Sequence, residues 1–246
     1  MPHPSNRQSP PPLADMLAAR PVALFLDFDG TLVEIADSPD AIVVPAGLSA
    51  RLSALSERLG GRLALVSGRG IVDVERHCGT LAIAVAGSHG AARRMVGDMS
   101  GSMLEPLPPA IVAEIEAFAL ANAVAFERKP HGAALHSRGA PEREEDCLSF
   151  MVALAGQHGL VAKRGKMVVE LVRPGADKGA AVDAFMALDP FAGATPVFIG
   201  DDITDDDGFA ACLRRGGFGI AVGERESALA RYGLADPTAV QQWLEL

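Results

Sequence analysis

The tightest constraint on the fold is a repeated pattern: a short, wholly apolar run that stops at a polar turn. Pro21-Val-Ala-Leu-Phe-Leu26 stops at Asp27-Phe28-Asp29-Gly30-Thr31, and Leu63-Ala-Leu-Val66 at Ser67-Gly68-Arg69. Pro196-Val-Phe-Ile-Gly200 stops at Asp201-Asp202. Runs this short, with no polar alternation, are strands buried on both faces. Between the first two lies a helical pattern opened by Pro45, with Leu48, Leu52, Leu55 and Leu59 on one face and Gly60-Gly61 ending it. Leu81–Ala86 is a further apolar run. The βαβ rhythm predicts an α/β fold, a Rossmann-like parallel sheet with helices on its faces.

The rhythm changes near residue 90. Ala110–Ala121 and Glu142–Gln157 read as helices, and Ala133–Ser137 and Lys166–Val172 as strands of a smaller α/β unit. The first rhythm then returns, with helix Lys178–Leu188, strand Pro196–Gly200, helix Asp205–Leu213 and a last strand, Gly219–Val222. The expected organisation is a flexible, proline-rich leader over 1–20, a core over 21–90 and 174–246, and an insertion over 91–173. Charge follows the division. The chain of 246 residues carries a formal −9, yet 91–173 holds ten acidic and ten basic residues, so the core carries the excess.

The acidic balance and 5% aromatic content argue against a nucleic-acid partner. Three dispersed cysteines exclude a disulfide framework or a zinc site. No apolar run approaches the roughly 20 residues of a membrane span, and the leader lacks a signal-peptide core. The expectation is a cytoplasmic protein with no membrane partner.

The polar turns carry the chemistry. In open parallel sheets, ligands bind beyond the carboxyl ends of the strands. Asp27 and Asp29 are two apart, and carboxylates so close need a cation, a shared proton or different environments. Ser67, with the N–H groups of a strand-to-helix turn, suits an anionic oxygen. Lys178 sits in the first turn of a helix, where it opposes the helix dipole. That placement makes sense as a phosphate clamp. Five Asp between 201 and 207 favour a hard cation with oxygen ligands, Mg²⁺ above others. At least two of Asp205–Asp207 are expected to cap the following helix.

The order DFDGT, SGR, DKG, GDD resembles the haloacid dehalogenase superfamily. That resemblance implies a core of this superfamily with the insertion as its cap domain. It implies that Asp27 is a nucleophile that becomes an aspartyl-phosphate. Asp29 would protonate the leaving oxygen and then activate water, and Ser67 and Lys178 would hold the transferring phosphoryl group. Mg²⁺ would sit on the Asp27 carboxylate, the Asp29 backbone carbonyl and Asp201, with Asp202 nearby. Thr31, Gly68 and Arg69, within the same motifs, join the expected substrate-binding set. Superfamily dehalogenases lack the second Asp, so Asp29 favours a phosphatase.

In the insertion, Glu127 and Lys129 have i, i+2 spacing, and Lys166 and Glu170 share parity. Paired carboxylates and ammoniums suit a polyhydroxylated ligand, since sugar hydroxyls both donate and accept. The segments ERKP, LHSR and GKMVVELVRP, AGSHG before them and GDDITDDDGF after them closely resemble trehalose-6-phosphate phosphatases. This resemblance places Glu127, Lys129, Arg138, Lys166 and Glu170 on a disaccharide phosphate, adds His89 as a candidate contact, and implies a functional link to a trehalose-6-phosphate synthase. The chain departs from that family's pattern at Ala92-Arg93-Arg94, where an acidic residue is common, and at Asp205-Asp206-Asp207, where Asp-Glu-Asp is common. Rival readings are a phosphatase of the superfamily for sucrose or glucosylglycerol phosphate, a phosphomannomutase, and a non-catalytic sugar-phosphate sensor. Of the four lysines, only Lys163 has no expected role.

Overall fold

The computed structural model describes residues 7–36, 38–98, 101–165 and 167–246. The chain forms two compact units, Met1–Ser102 with Asp177–Leu246, and Met103–Ala176. In chain order the elements of the first unit are α1 (Leu13–Ala19), β1 (Val22–Leu26), α2 (Leu48–Arg58), β2 (Leu63–Val66), α3 (Ile71–Cys78), β3 (Ala84–Gly87) and β4 (Ala92–Arg94). Strand β5 (Ser102–Met103) leads into the second unit: α4 (Pro109–Asn122), β6 (Ala125–Lys129), β7 (Gly132–His136), α5 (Glu144–His158), β8 (Val161–Gly165) and β9 (Val168–Val172). The first unit resumes with α6 (Lys178–Met186), β10 (Thr195–Gly200), α7 (Asp205–Arg214), β11 (Phe218–Val222), β12 (Ala230–Leu234) and α8 (Pro237–Leu244).

The large sheet has the order β12-β11-β10-β1-β2-β3-β4-β5. Strands β12 to β3 are parallel, and β4 turns back antiparallel to β3. The apolar runs are apolar throughout because both faces are covered. Leu24, Leu26, Leu65 and Ile199 pack with Leu48, Leu52 and Leu55 of α2. Phe25, Val66 and Phe198 point the other way, onto Val182 and Phe185 of α6 and Phe209 of α7. Period-two alternation along each strand splits the run between the two layers.

Three expectations change. The leader is not loose over its whole length: α1 lies within it, and Leu13 is buried with Met16 and Leu17 packed on the same core. Their i, i+3, i+4 spacing makes an apolar stripe. The second unit starts later than the change of rhythm, because Ala92–Arg94 extends the large sheet and Arg94 pairs with Glu75 of α3. Gly219–Val222 is not the last strand, because β12 adds an edge with a mixed, partly exposed pattern. Among the described residues, no helix is long and apolar enough to cross a membrane.

The second unit is a four-stranded antiparallel sheet, β6-β7-β9-β8, backed by α4 and α5. Phe126, Leu135, Val169 and Leu171 join Ile115, Met151 and Leu154 in its core. Alternation therefore sends Glu127, Lys129, His136, Lys163 and Glu170 to the opposite face. The register aligns Glu127, Ala134, Glu170 and Lys163 in one row across the four strands.

Candidate active site

Because β10, β1 and β2 are neighbours, the three polar turns meet beyond their carboxyl ends. They line a cavity of about 460 Å³ with Asp27, Asp29, Gly68, Arg69, His89, Lys178, Asp201 and Asp202 on its wall. The Asp27 amide donates to the Ile199 carbonyl at 2.9 Å, so the ladder carries Asp27 to the cavity floor.

Lys178 is the buried centre. Its Nζ lies 2.9 Å from Asp27 Oδ1 and 2.7 Å from Asp205 Oδ1, with side-chain exposures of 3%, 7% and 0%. The N-cap Asp177 aims α6 at this point by accepting the Ala180 amide at 2.6 Å. Burial pulls the Lys178 ammonium down, but attraction to Asp27 and Asp205 outweighs it and holds the group charged above its usual range. Burial pushes the Asp27 carboxyl up, against the pull of Lys178. Burial, and then the charge of Asp27, push Asp201 up to about 7 and Asp205 up to about 8. One ammonium cannot neutralise three ionised acids, so the site favours bound protons or a cation.

Asp29 has a different environment. Arg69 Nε and Nη2 hold its two oxygens at 2.7 and 2.8 Å, and Arg69 Nη1 reaches Asp73 at 3.0 Å. Each carboxylate of the Asp27–Asp29 pair thus has its own cation. Gly30 makes the turn between β1 and Thr31 with φ +72, and a Cβ there would stand 2.1 Å from Asp201 Oδ2. Only glycine meets both demands. The buried Thr31 donates its hydroxyl to Asp201 Oδ1 at 3.3 Å. Ser67 is fully buried, and its Oγ accepts the Arg69 amide at 3.0 Å. His89 lines the cavity from a left-handed backbone, φ 55.

Asp27, Asp201 and Asp205 each bring a carboxylate oxygen within 4.8 Å of the others. Asp202 is not in this group. It is exposed, and its carboxylate accepts the Ile203 amide at 2.7 Å. Asp205 is the residue the sequence reading missed. The N-cap residue of α7 is Thr204, whose side chain makes no cap bond. Asp205 instead takes Lys178 and the Asp202 amide, while Asp206 takes Arg225 and Ser227. The signal was there: Asp205, Gly208, Phe209 and Cys212 fall at i, i+3, i+4 and i+7, the buried stripe of α7.

In the second unit, Glu127, Lys129 and Glu170 come together on the open face of the sheet. Lys129 lies 3.2 Å from Glu170, and Glu127 lies 2.8 Å from His136, a partner that sequence reasoning passed over. Arg138 is exposed in the turn after β7, and Lys166 lies outside the described residues. Lys163 donates to the Ala176 carbonyl at 2.6 Å, which gives the unassigned lysine a structural task.

Residues 25–237 match the family model described as trehalose-phosphatase. The chain belongs to the trehalose-phosphatase family. A relative from Escherichia coli (strain K12), named trehalose-6-phosphate phosphatase, is 38% identical over 231 residues, 91% of this chain and 85% of that protein. The structure of Aspergillus fumigatus trehalose-6-phosphate phosphatase, 22% identical, shares the fold with a TM-score of 0.77 over 98% of both chains. A haloacid dehalogenase-like hydrolase from Bacteroides thetaiotaomicron, 17% identical, has a TM-score of 0.66 over 92% of this chain and 98% of that one. Family membership makes the chain an enzyme, a phosphoric monoester hydrolase. Its first unit is a Rossmann-like core of the haloacid dehalogenase type, into which the smaller α/β unit is inserted.

Proposed function

We propose that this protein hydrolyses trehalose 6-phosphate to trehalose and inorganic phosphate, with Asp27 as nucleophile and Mg²⁺ as cofactor. The observation that carries the reading is the buried Asp27–Lys178–Asp205 group at the end of β1, with the separately held Asp29 beside it in the same cavity. The relative from Escherichia coli, by its name, acts on this substrate.

The donor set fits a hard divalent cation. All the donors are oxygens, and three converging acids face one ammonium. Asp27 and Asp201 would hold the ion, with the Asp29 backbone carbonyl as a further donor. When bound, it offsets the repulsion between carboxylates and a phosphate dianion.

The residues then divide the work. An Asp27 carboxylate oxygen attacks phosphorus, and the bond from phosphorus to the sugar oxygen breaks. Lys178 holds Asp27 in line and stays charged beside the phosphoryl oxygens. Asp29, protonated from solvent once it gives up an Arg69 bond, delivers that proton to the leaving sugar oxygen and becomes a carboxylate. It then takes a proton from the water that attacks the aspartyl-phosphate, releasing phosphate and restoring Asp27. Ser67 with Gly68, and His89, border the phosphoryl position. The inserted unit acts as the specificity cap, with Glu127, Lys129 and Glu170 offering donors and acceptors to glucose hydroxyls and Arg138 and Lys166 adding positive charge. A synthase that makes trehalose 6-phosphate is the matching functional partner.

The test is phosphate release from trehalose 6-phosphate, sucrose 6-phosphate, glucosylglycerol phosphate and a small aryl phosphate, with and without Mg²⁺. Trehalose 6-phosphate with Mg²⁺ is expected to be fastest by kcat/KM. Asp27→Asn is expected to lose at least about a thousandfold in kcat. Lys129→Ala should harm trehalose 6-phosphate far more than the aryl ester. Faster turnover of another sugar phosphate would overturn the substrate, and an active Asp27→Asn would overturn the nucleophile.

A further inference from the structure

Arg225, in the loop between β11 and β12, reaches back to the acidic turn after β10. Its Nε donates to the Asp201 carbonyl at 3.0 Å. Its two terminal nitrogens hold Asp206 at 3.2 and 2.8 Å. Asp206 is fixed a second time by Ser227 Oγ at 2.6 Å, and that same oxygen accepts the Leu229 amide at 3.2 Å. Arg7 ties the loop down from outside, donating to the carbonyls of Arg225 and Ser227 at 3.1 and 2.9 Å. The loop is thus anchored independently of the turn it grips.

Asp201 is clamped on two sides. Its carboxylate rests against Gly30 and takes the Thr31 hydroxyl, and its peptide carbonyl takes Arg225. The clamp opposes a real force. Asp27, Asp201 and Asp205 converge, and their carboxylates repel one another when ionised. A guanidinium is suited to resist it, because its rigid fork serves a carbonyl and a carboxylate together and its charge is permanent. Arg225 is partly exposed, with a 26% accessible side chain, so it is not there as core packing.

We propose that Arg225 is a positioning residue: by fixing the Asp201 peptide through its Nε, and α7 through Asp206, it sets the protein's affinity for the divalent cation. The proposal rests on the reading that Asp27 and Asp201 hold such an ion. Outer partners of metal ligands typically alter affinity by about 10- to 100-fold when removed.

The experiment compares the full-length protein with Arg225→Met, Arg225→Lys and Ser227→Ala. Mg²⁺ binding is measured by titration calorimetry, and phosphate release is followed against Mg²⁺ concentration. Arg225→Met is expected to weaken Mg²⁺ binding by about tenfold or more and to recover most of its kcat at saturating Mg²⁺. Arg225→Lys keeps the charge, loses the fork and should fall between. Ser227→Ala frees one side of Asp206, and a smaller weakening is expected; this variant carries the test if Arg225→Met does not fold by circular dichroism. Wild-type Mg²⁺ affinity in the folded variants, even with a lowered Tm, would overturn the assignment alone. A wild-type protein that neither binds Mg²⁺ nor needs it would overturn the metal reading as well.

Discussion

Lys178 shows how much one side chain can hold in place. It is the sole cation in direct contact with Asp27 and Asp205 among the described residues, and all three are buried. Lys178→Met would leave two buried carboxylates without their partner, and breaking a buried pair from one side costs about 3–5 kcal/mol. Urea unfolding is expected to register a loss of that size, and Lys178→Met/Asp205→Asn should regain part of it. A single variant as stable as wild type would mean the three groups are not coupled. That Asp27, Asp29, Lys178 and Asp201 would meet at one cavity was legible because each follows an apolar run or opens a helix. Asp205 was not, because a row of Asp at a helix start also fits capping. Only its place on the α7 stripe separates the two roles. Thr31 and Arg69, expected on substrate, here bond Asp201 and Asp29. Spacing alone does not distinguish a residue that faces a ligand from one that orients its neighbour.

At the level of elements, the strands were legible wherever both faces are buried, since a short run without polar residues fits little besides a strand covered on both sides. Edge elements were not. Strand β12 has one neighbour and mixed exposure, and β4 is three residues of which two are Arg. Helix α1 was hidden by the prolines around it. The contact between α6 and α7 has a specific weak point. A Cβ on Gly179 would stand 2.5 Å from the Asp207 carbonyl oxygen. Gly179→Ala should therefore push the helices apart, cost about 1–3 kcal/mol as overpacking does, and lower kcat by shifting Lys178. Gly156→Ala is the control: it lies in α5 with nothing within 4 Å, and is expected to leave stability unchanged or slightly improved. Equal effects at the two positions, measured by thermal unfolding and phosphate release, would rule out the packing argument.

For the whole molecule, the two-unit division was foreshadowed by the neutral charge of the inserted stretch and its change of rhythm. Each unit has its own core, and each core contains a buried thiol, Cys147 in the smaller and Cys212 in the larger. Burial pushes both thiols up, away from the reactive thiolate. Iodoacetamide labelling of the native protein should reach the half-buried Cys78 first. In rising urea, Cys147 should become reactive before Cys212, because the smaller unit buries less apolar surface. Simultaneous exposure of both would show that the units unfold as one. The order of the large sheet also bears on how the protein is made. Strand β1 pairs with β2 soon after it in sequence, but its other neighbour is β10, with Val22 opposite Thr195. A chain still emerging from the ribosome must finish the whole inserted unit before that edge of β1 is covered. Until then, Asp27 follows a strand with a bare flank, so non-local pairing of this kind makes assembly slow and leaves an interval of exposure to aggregation.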